Sequence, residues 1–173
     1  MSHYYQLESE RIQFRKLSED DIPLWEPFFI NNDRLKFLGI PLDLSSLESA
    51  TNWIEMAQTR YAPSGLGQLA AIDKSSGEFL GVAGVIPREM EGRNEFEITY
   101  SFLPEFWGRG YATESAICFK NYMFNNTSVD RVISMIEVNN TDSQKVAIKN
   151  GMRPLFKSEF RGMRIDVFGV ERG

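Results

Sequence analysis

Apolar and polar residues first alternate in "RIQFRKL", where Ile12 and Phe14 fall on one side of an extended chain and predict a β-strand. "SEDD" then offers Ser18 as an N-cap with Asp21 three residues on, predicting a helix to about Ile30. A second helix is expected from "SSLE", where Ser45 and Glu48 have capping-box spacing. Ala50, Ile54, Ala57 and Tyr61 recur at helical spacing behind it, and "PSG" at 63–65 ends it. "LGQLAAI" and "FLGVAGVI" are β-type runs joined by the polar, glycine-containing "DKSSGE", which reads as a hairpin. The second run is apolar on both faces, so it belongs in the middle of a sheet. "NEFEITYSFL" is a third strand of this group. A helix at about 109–125, the strand "RVISMIEV", a helix at 141–149 closed by Gly151, and strands near 152–160 and 163–171 complete the chain. The order β-α-α-β-β-β-α-β-α-β-β predicts an α/β (α+β) fold. Its sheet is mixed and largely antiparallel, of about seven strands, with flanking helices and one β-α-β crossover near its centre.

Length changes this picture little: 173 residues without repeat, linker or low-complexity tract read as one domain over 1–173. No apolar run is long enough to span a bilayer, and "MSHYYQLESER" lacks the apolar core of a secretory leader. One cysteine, Cys118, permits no internal disulfide and suits a reducing compartment. The expectation is therefore a cytoplasmic protein without membrane contact. A formal charge of −5 argues against a nucleic-acid partner and favours a cationic one. No His/Cys/Asp/Glu spacing suggests a metal site.

The chemistry gathers around "EITYSFLPEFWGRGYATESA". Strand alternation puts Phe96, Ile98, Tyr100 and Phe102 on one face, and Glu95, Glu97, Thr99 and Ser101 on the other, facing either solvent or a cleft. The strand runs into Gly108, Gly110 and Ala112 at the start of a helix. Unpaired N–H groups of a helical first turn carry partial positive charge, and small residues let an anion such as a diphosphate approach them. Neither G-x-G-x-x-G nor G-K-[ST] is present, which disfavours the dinucleotide and P-loop folds.

This stretch resembles the central motif of the GCN5-related N-acetyltransferases (GNAT), in the branch of the RimJ/RimL-like ribosomal-protein N-terminal acetyltransferases. The family pattern [QR]-x-x-G-x-[GA] is matched at Gly110 and Ala112, with Trp107 at the Gln/Arg position. "NNTDSQKVAIKNGM" matches a second motif through Asn140, Ser143 and Gly151, with Met152 in place of Phe. "ERIQFRKLSEDD" and "GEFLGVAGV" match more loosely. The resemblance implies acetyl-CoA lying where two central strands splay apart. Backbone groups of Phe102 and Leu103 would pair with the pantetheine arm, and the amides of Trp107, Gly108, Arg109, Gly110, Tyr111 and Ala112 would hold the pyrophosphate. Trp107 supplies no side-chain donor there in this reading, and the charge of Arg109 assists. Asn140 and Ser143 would border the thioester.

Amine acetylation needs a neutral nucleophile and hence a proton acceptor. Glu97 is the expected base, with Glu95 second; substrate binding or solvation are its competing roles. The tyrosine that many family members place four residues before the later Gly is Ala147 here, leaving Ser143 as the expected donor to the departing thiolate. Asn140, Thr141 and Ser143 also suit helix capping, Thr141 with Gln144 having capping-box spacing. Trp25, Phe28, Phe29, Phe37 and Trp53 are expected in the core, one or two of them lining an acceptor pocket. Cys118 reads as a buried structural thiol, His3 as non-catalytic, and Asp166 as solvated or as a contact for a cationic acceptor. The implied activity is acetyl transfer from acetyl-CoA to a primary amine, either a protein N-terminus or a small molecule, by direct attack in a ternary complex. A homodimer is compatible with the branch. The alternative is a non-catalytic acyl-CoA-binding domain of the same fold.

Overall fold

In the computed structural model, residues 3–173 are described. Seven strands form one sheet in the order β1-β2-β3-β4-β5-β7-β6: β1 (Ile12–Lys16), β2 (Gly67–Asp73), β3 (Phe79–Met90), β4 (Arg93–Phe102), β5 (Arg131–Glu137), β6 (Arg153–Phe160) and β7 (Met163–Glu171). Every neighbouring pair is antiparallel except β4 and β5. Phe79 through Ile86 are buried without a break, which places β3 in the sheet interior as its two apolar faces require.

The first helix differs from expectation. Ser18 does donate its N–H to the Asp21 carboxylate at 2.9 Å. The segment then divides into a 3₁₀ turn at Glu19–Asp21, the four-residue α1 (Ile22–Trp25) and a second 3₁₀ turn at Glu26–Phe29. Pro23 and Pro27 remove N–H donors that a continuous helix would need. The aromatic residues this releases pack tightly: Trp25 stacks on Phe28 with ring centres 4.2 Å apart, and both are buried. Helix α2 (Ser46–Ser64) follows its capping box and closes at Gly65, whose φ of +68° few other residues adopt without strain.

Helix α3 (Tyr111–Asn126) crosses over from β4 to β5, and α4 (Thr141–Lys149) follows β5. The cap of α4 differs from expectation by one residue. Asn140, not Thr141, is the N-cap, its Oδ1 accepting from the Ser143 N–H at 3.3 Å, and Gln144 turns back to the Val138 carbonyl at 3.0 Å. Tyr4 pins the amino-terminal segment to the sheet, its hydroxyl donating to Gly67 O at 2.6 Å and accepting from Val85 N at 2.7 Å. Among the described residues, no helix is long and apolar enough to cross a membrane.

Candidate active site

Strands β4 and β5 run parallel but pair at only one position, Glu97 with Ile133, and beyond it they part. Alternation turns the N–H and C=O groups of Ile98, Tyr100 and Phe102 toward β5, and the Ser134 hydroxyl donates to Ile98 O at 2.9 Å inside the fork. The amino ends of α3 and α4 stand at the open end of this fork. A cavity of about 1080 Å³ occupies it, reaching from the loop residues Trp107, Gly108, Gly110, Tyr111 and Ala112 past Asn140 and Ser143 to Glu97.

The loop has the predicted shape. Gly108 and Gly110 have φ of +76° and +84°, and a Cβ at Gly108 would meet nothing within 4 Å. Room for a ligand therefore lies directly over the backbone, and the first amides of α3 are accessible to an oxyanion. Trp107 departs from expectation: its indole N–H donates to Phe102 O at 2.7 Å, which ties the loop to the end of β4 and takes up a carbonyl assigned to the cofactor. Leu103 does not line the cavity. Its N–H is committed to Leu80 O at 2.9 Å, because odd-numbered residues at this end of β4 face β3. Arg109 is exposed, its guanidinium 5.5 Å from the Phe106 ring, and is absent from the cavity wall.

Arg11, which sequence reasoning passed over, is the cation beside the loop. Its guanidinium lies 4.3 Å over the Tyr111 ring and donates to Arg109 O at 2.9 Å, while its Nε holds Glu114 at 2.7 Å. A Cβ on Gly110 would approach its NH2 to 3.3 Å. The loose match "ERIQFRKL" was the available signal. Arg34 was also missed: it stacks on Trp107 at 3.7 Å and reaches Asp142 of α4 at 2.6 Å, so it links the two sides of the open fork.

Glu97 and Glu95 are both buried, which settles that the polar side of β4 faces the protein interior and a cleft, not solvent. Glu95 is bound by Arg131 and does not line the cavity. Glu97 does, and it accepts from Arg88 Nε at 2.7 Å. Burial is the largest influence on its carboxyl and raises the pKa above the ordinary value, opposed by Arg88, Arg60 and the Met135 N–H. Tyr100 packs against the core and also reaches the cavity: its hydroxyl meets both the carbonyl and the hydroxyl oxygen of Ser143 at 3.0 Å. Burial pushes the Tyr100 pKa up to about 12, so the phenol remains a proton donor at neutral pH.

The other candidates fall outside the chemistry. Cys118 is half-buried, donates to Glu8 O at 3.6 Å, and is pushed up to about 11 by burial. Asp166 is occupied by Lys157 at 2.7 Å, and His3 is exposed. Phe28, Phe37 and Trp53 line the cavity, while Trp25 and Phe29 stay in the core. No group of three or more potential metal-ligating side chains occurs among the described residues.

Residues 11–153 match the family model for the acetyltransferase (GNAT) domain. The chain belongs to the GNAT N-acetyltransferase family. It is 31% identical to YkkB of Bacillus subtilis over 84% of each chain, and 22% identical to the N-acetyltransferase YoaA of the same organism over 85% of this chain and 82% of that one. Solved structures share the fold. An acetyltransferase from Agrobacterium tumefaciens has a TM-score of 0.77 at 23% identity, covering 96% of this chain and 94% of that one. The RimL ribosomal L7/L12 acetyltransferase in complex with coenzyme A has a TM-score of 0.73 at 16% identity, covering 94% and 95%. The GNAT fold binds acetyl-CoA, and the fork with its open glycine loop fits that ligand: the cavity is continuous, and nothing stands over Gly108.

Proposed function

We propose that this GNAT moves an acetyl group from acetyl-CoA to a primary amine by direct attack within a ternary complex. One observation carries the reading: a single cavity joins the loop at the open end of the β4/β5 fork to a buried carboxylate, Glu97, at its closed end. The acetyl-CoA pyrophosphate is assigned to the amides from Gly108 to Ala112, with Arg11 supplying the adjacent charge. The pantetheine arm is assigned to the cleft edge of β4 at Tyr100 and the N–H of Phe102, and Asn140 borders it. Glu97 takes the proton from the acceptor ammonium before attack, or from the amine nitrogen as the C–N bond forms, directly or through a water. A carboxyl whose pKa is raised yet still ionised is a better base than a solvated one.

When the C–S bond breaks, negative charge develops on sulfur. Tyr100 donates to the Ser143 carbonyl and holds the Ser143 hydroxyl at the cleft as the donor to that sulfur, so the pair takes the place of the tyrosine lacking at Ala147. At about 12, Tyr100 lies roughly 3.5 units above an ordinary thiol near 8.5, so full proton transfer from it to the thiolate is uphill. The pair therefore stabilises the leaving sulfur by hydrogen bonding, and solvent supplies the final proton.

The RimL neighbour acts on a ribosomal-protein N-terminus, which makes a protein α-amine one acceptor class; small amines are the other. Glu97→Gln is expected to retain acetyl-CoA affinity by calorimetry and to lose turnover, most strongly at low amine concentration. Wild-type turnover in Glu97→Gln would remove Glu97 as the base.

A further inference from the structure

A protein with a formal charge of −5 carries an unexpected concentration of arginine along the wall of its cavity away from the glycine loop. Arg60 from α2, Arg88 from β3 and Arg161 from the β6–β7 turn all line it. The guanidiniums of Arg88 and Arg161 lie 5.0 and 4.9 Å from the centre of the same Phe160 ring. Glu97 satisfies Arg88. Among the described residues, neither Arg60 nor Arg161 has a carboxylate within ion-pair distance, and Glu55, the remaining acid on this part of the wall, pairs with neither. Arg161 spends one N–H on Gly39 O at 3.4 Å. Arg60 is half-buried, and its pKa is lowered by burial first and then by repulsion from Arg88 and Arg161, with Glu97 opposing in part.

The single carboxylate of Glu97, already bound by Arg88, is shared among three guanidiniums, and a partly desolvated cation so placed is unfavourable unless a second anion meets it. The pyrophosphate of the donor does not reach this position. From Glu97 to Phe102 is five residues of strand, or roughly 17 Å, and the glycine loop lies beyond that. The donor occupies the other end of the cavity, so the cations are left to the acceptor. A planar guanidinium with parallel N–H groups suits a carboxylate or phosphate in particular.

We infer that the acceptor is an amine carrying an anionic group, a carboxylate or a phosphate, held by Arg60 and Arg161 while its amine faces Glu97. The inference rests on the acetyl-transfer reading above and narrows its substrate class. It reverses the expectation of a cationic partner drawn from net charge: the acidic surface sets the overall sign, but the cavity wall is locally basic. Polyamines and aminoglycosides are disfavoured on the same grounds.

Matched acceptors test this: an α-amino acid against its amide, phosphoethanolamine against ethanolamine, and spermidine as a polycation. The anionic member of at least one pair is expected to show a kcat/KM about 10- to 100-fold above its neutral partner, the worth of a charge-assisted contact. The two pairs separate carboxylate from phosphate. Arg60→Gln is expected to collapse that ratio, and Arg161→Gln, in an exposed turn, repeats the test without disturbing α2. Arg153→Gln on exposed β6 is the charge-matched control and keeps the ratio. Calorimetry with N-acetyl amino acid and its amide on CoA-loaded protein reads the same selectivity without turnover. Preference for spermidine or the neutral amines, or a ratio and binding selectivity untouched in both arginine variants, overturns the inference. No transfer to any amine together with Arg60-dependent binding of the anionic ligand would instead overturn the acetyl-transfer reading and leave the anion site standing.

Discussion

Replacing Arg88 with Gln tests how the proposed base is tuned. Arg88 Nε sits 2.7 Å from Glu97 Oε2, and the two side chains are only 20% and 8% exposed. Burial raises the Glu97 pKa, and the guanidinium is the largest influence opposing that rise. A neighbouring arginine typically lowers a carboxyl by about 1–3 units, and Arg88→Gln gives that shift back. Arg60 and the Met135 N–H still favour the ionised form, so the further rise is partial. The sign follows from the role: a base works when ionised, so activity is full above the Glu97 pKa and is lost as pH falls through it. Arg88→Gln should therefore move the acid limb of kcat/KM to higher pH, each unit of displacement costing about tenfold in rate at a fixed pH on the limb. The assay follows release of the CoA thiol across the pH range with one acceptor. The acceptor's own ionisation is identical for both proteins, so the difference between profiles belongs to the enzyme. An acid limb at the same pH in both proteins would refute the assignment of Glu97 as the titrating base.

Gly110→Glu should abolish acetyl-CoA binding by calorimetry, since its φ of +84° and the Arg11 guanidinium 3.3 Å from the new Cβ leave neither a relaxed backbone nor an uncompensated charge for the pyrophosphate. Tyr100→Phe is expected to lower kcat about tenfold in steady-state kinetics, the worth of one hydrogen bond near 1.4 kcal/mol, with little change in acetyl-CoA affinity. Gly84→Ala would set a methyl against Gly67 O and 2.7 Å from Gln68 Cα, where only backbone can yield. A loss of about 3 kcal/mol, or roughly 6–12 °C in Tm by calorimetric melting, is expected. Gly77→Ala, with nothing within 4 Å but a φ of +77°, should cost only about 1 kcal/mol in the same experiment.

Periodicity carried most of the fold because this sheet divides its faces cleanly: the two-sided apolar run of β3 and the capping box of α2 announce themselves locally. The division of the first helix at Pro23 and Pro27 was also present in the sequence, but the capping signal at Ser18 masked it. For the site, Gly108 and Gly110 were legible, since left-handed backbone beside an open space demands glycine. Glu97 could be placed on a face by alternation, yet not in an ion pair, because Arg88 comes from the neighbouring strand. Arg34, Arg60 and Arg161 were illegible for the same reason, and Arg11 was marked only by the loose match around it. Arg34, Arg60 and Arg161 reach the cavity from three separate segments and Arg11 reaches the back of the glycine loop, and no spacing along the chain relates them. Trp107 shows the converse limit: its position was read correctly, but the use of its indole N–H depended on where the preceding strand ended.

Incubation of the protein with acetyl-CoA and a panel of primary amines, including amino acids, aminoalkyl phosphates and peptides with free N-termini, tests the central claim most directly when each amine is followed by mass spectrometry. The expected result is one acetyl group added to the amine nitrogen of an anionic acceptor, with one CoA released per acetyl transferred and the reaction lost in Gly110→Glu. Tight acetyl-CoA binding with no acetyl gained by any amine would contradict it and leave an acyl-CoA-binding domain built on the same fork.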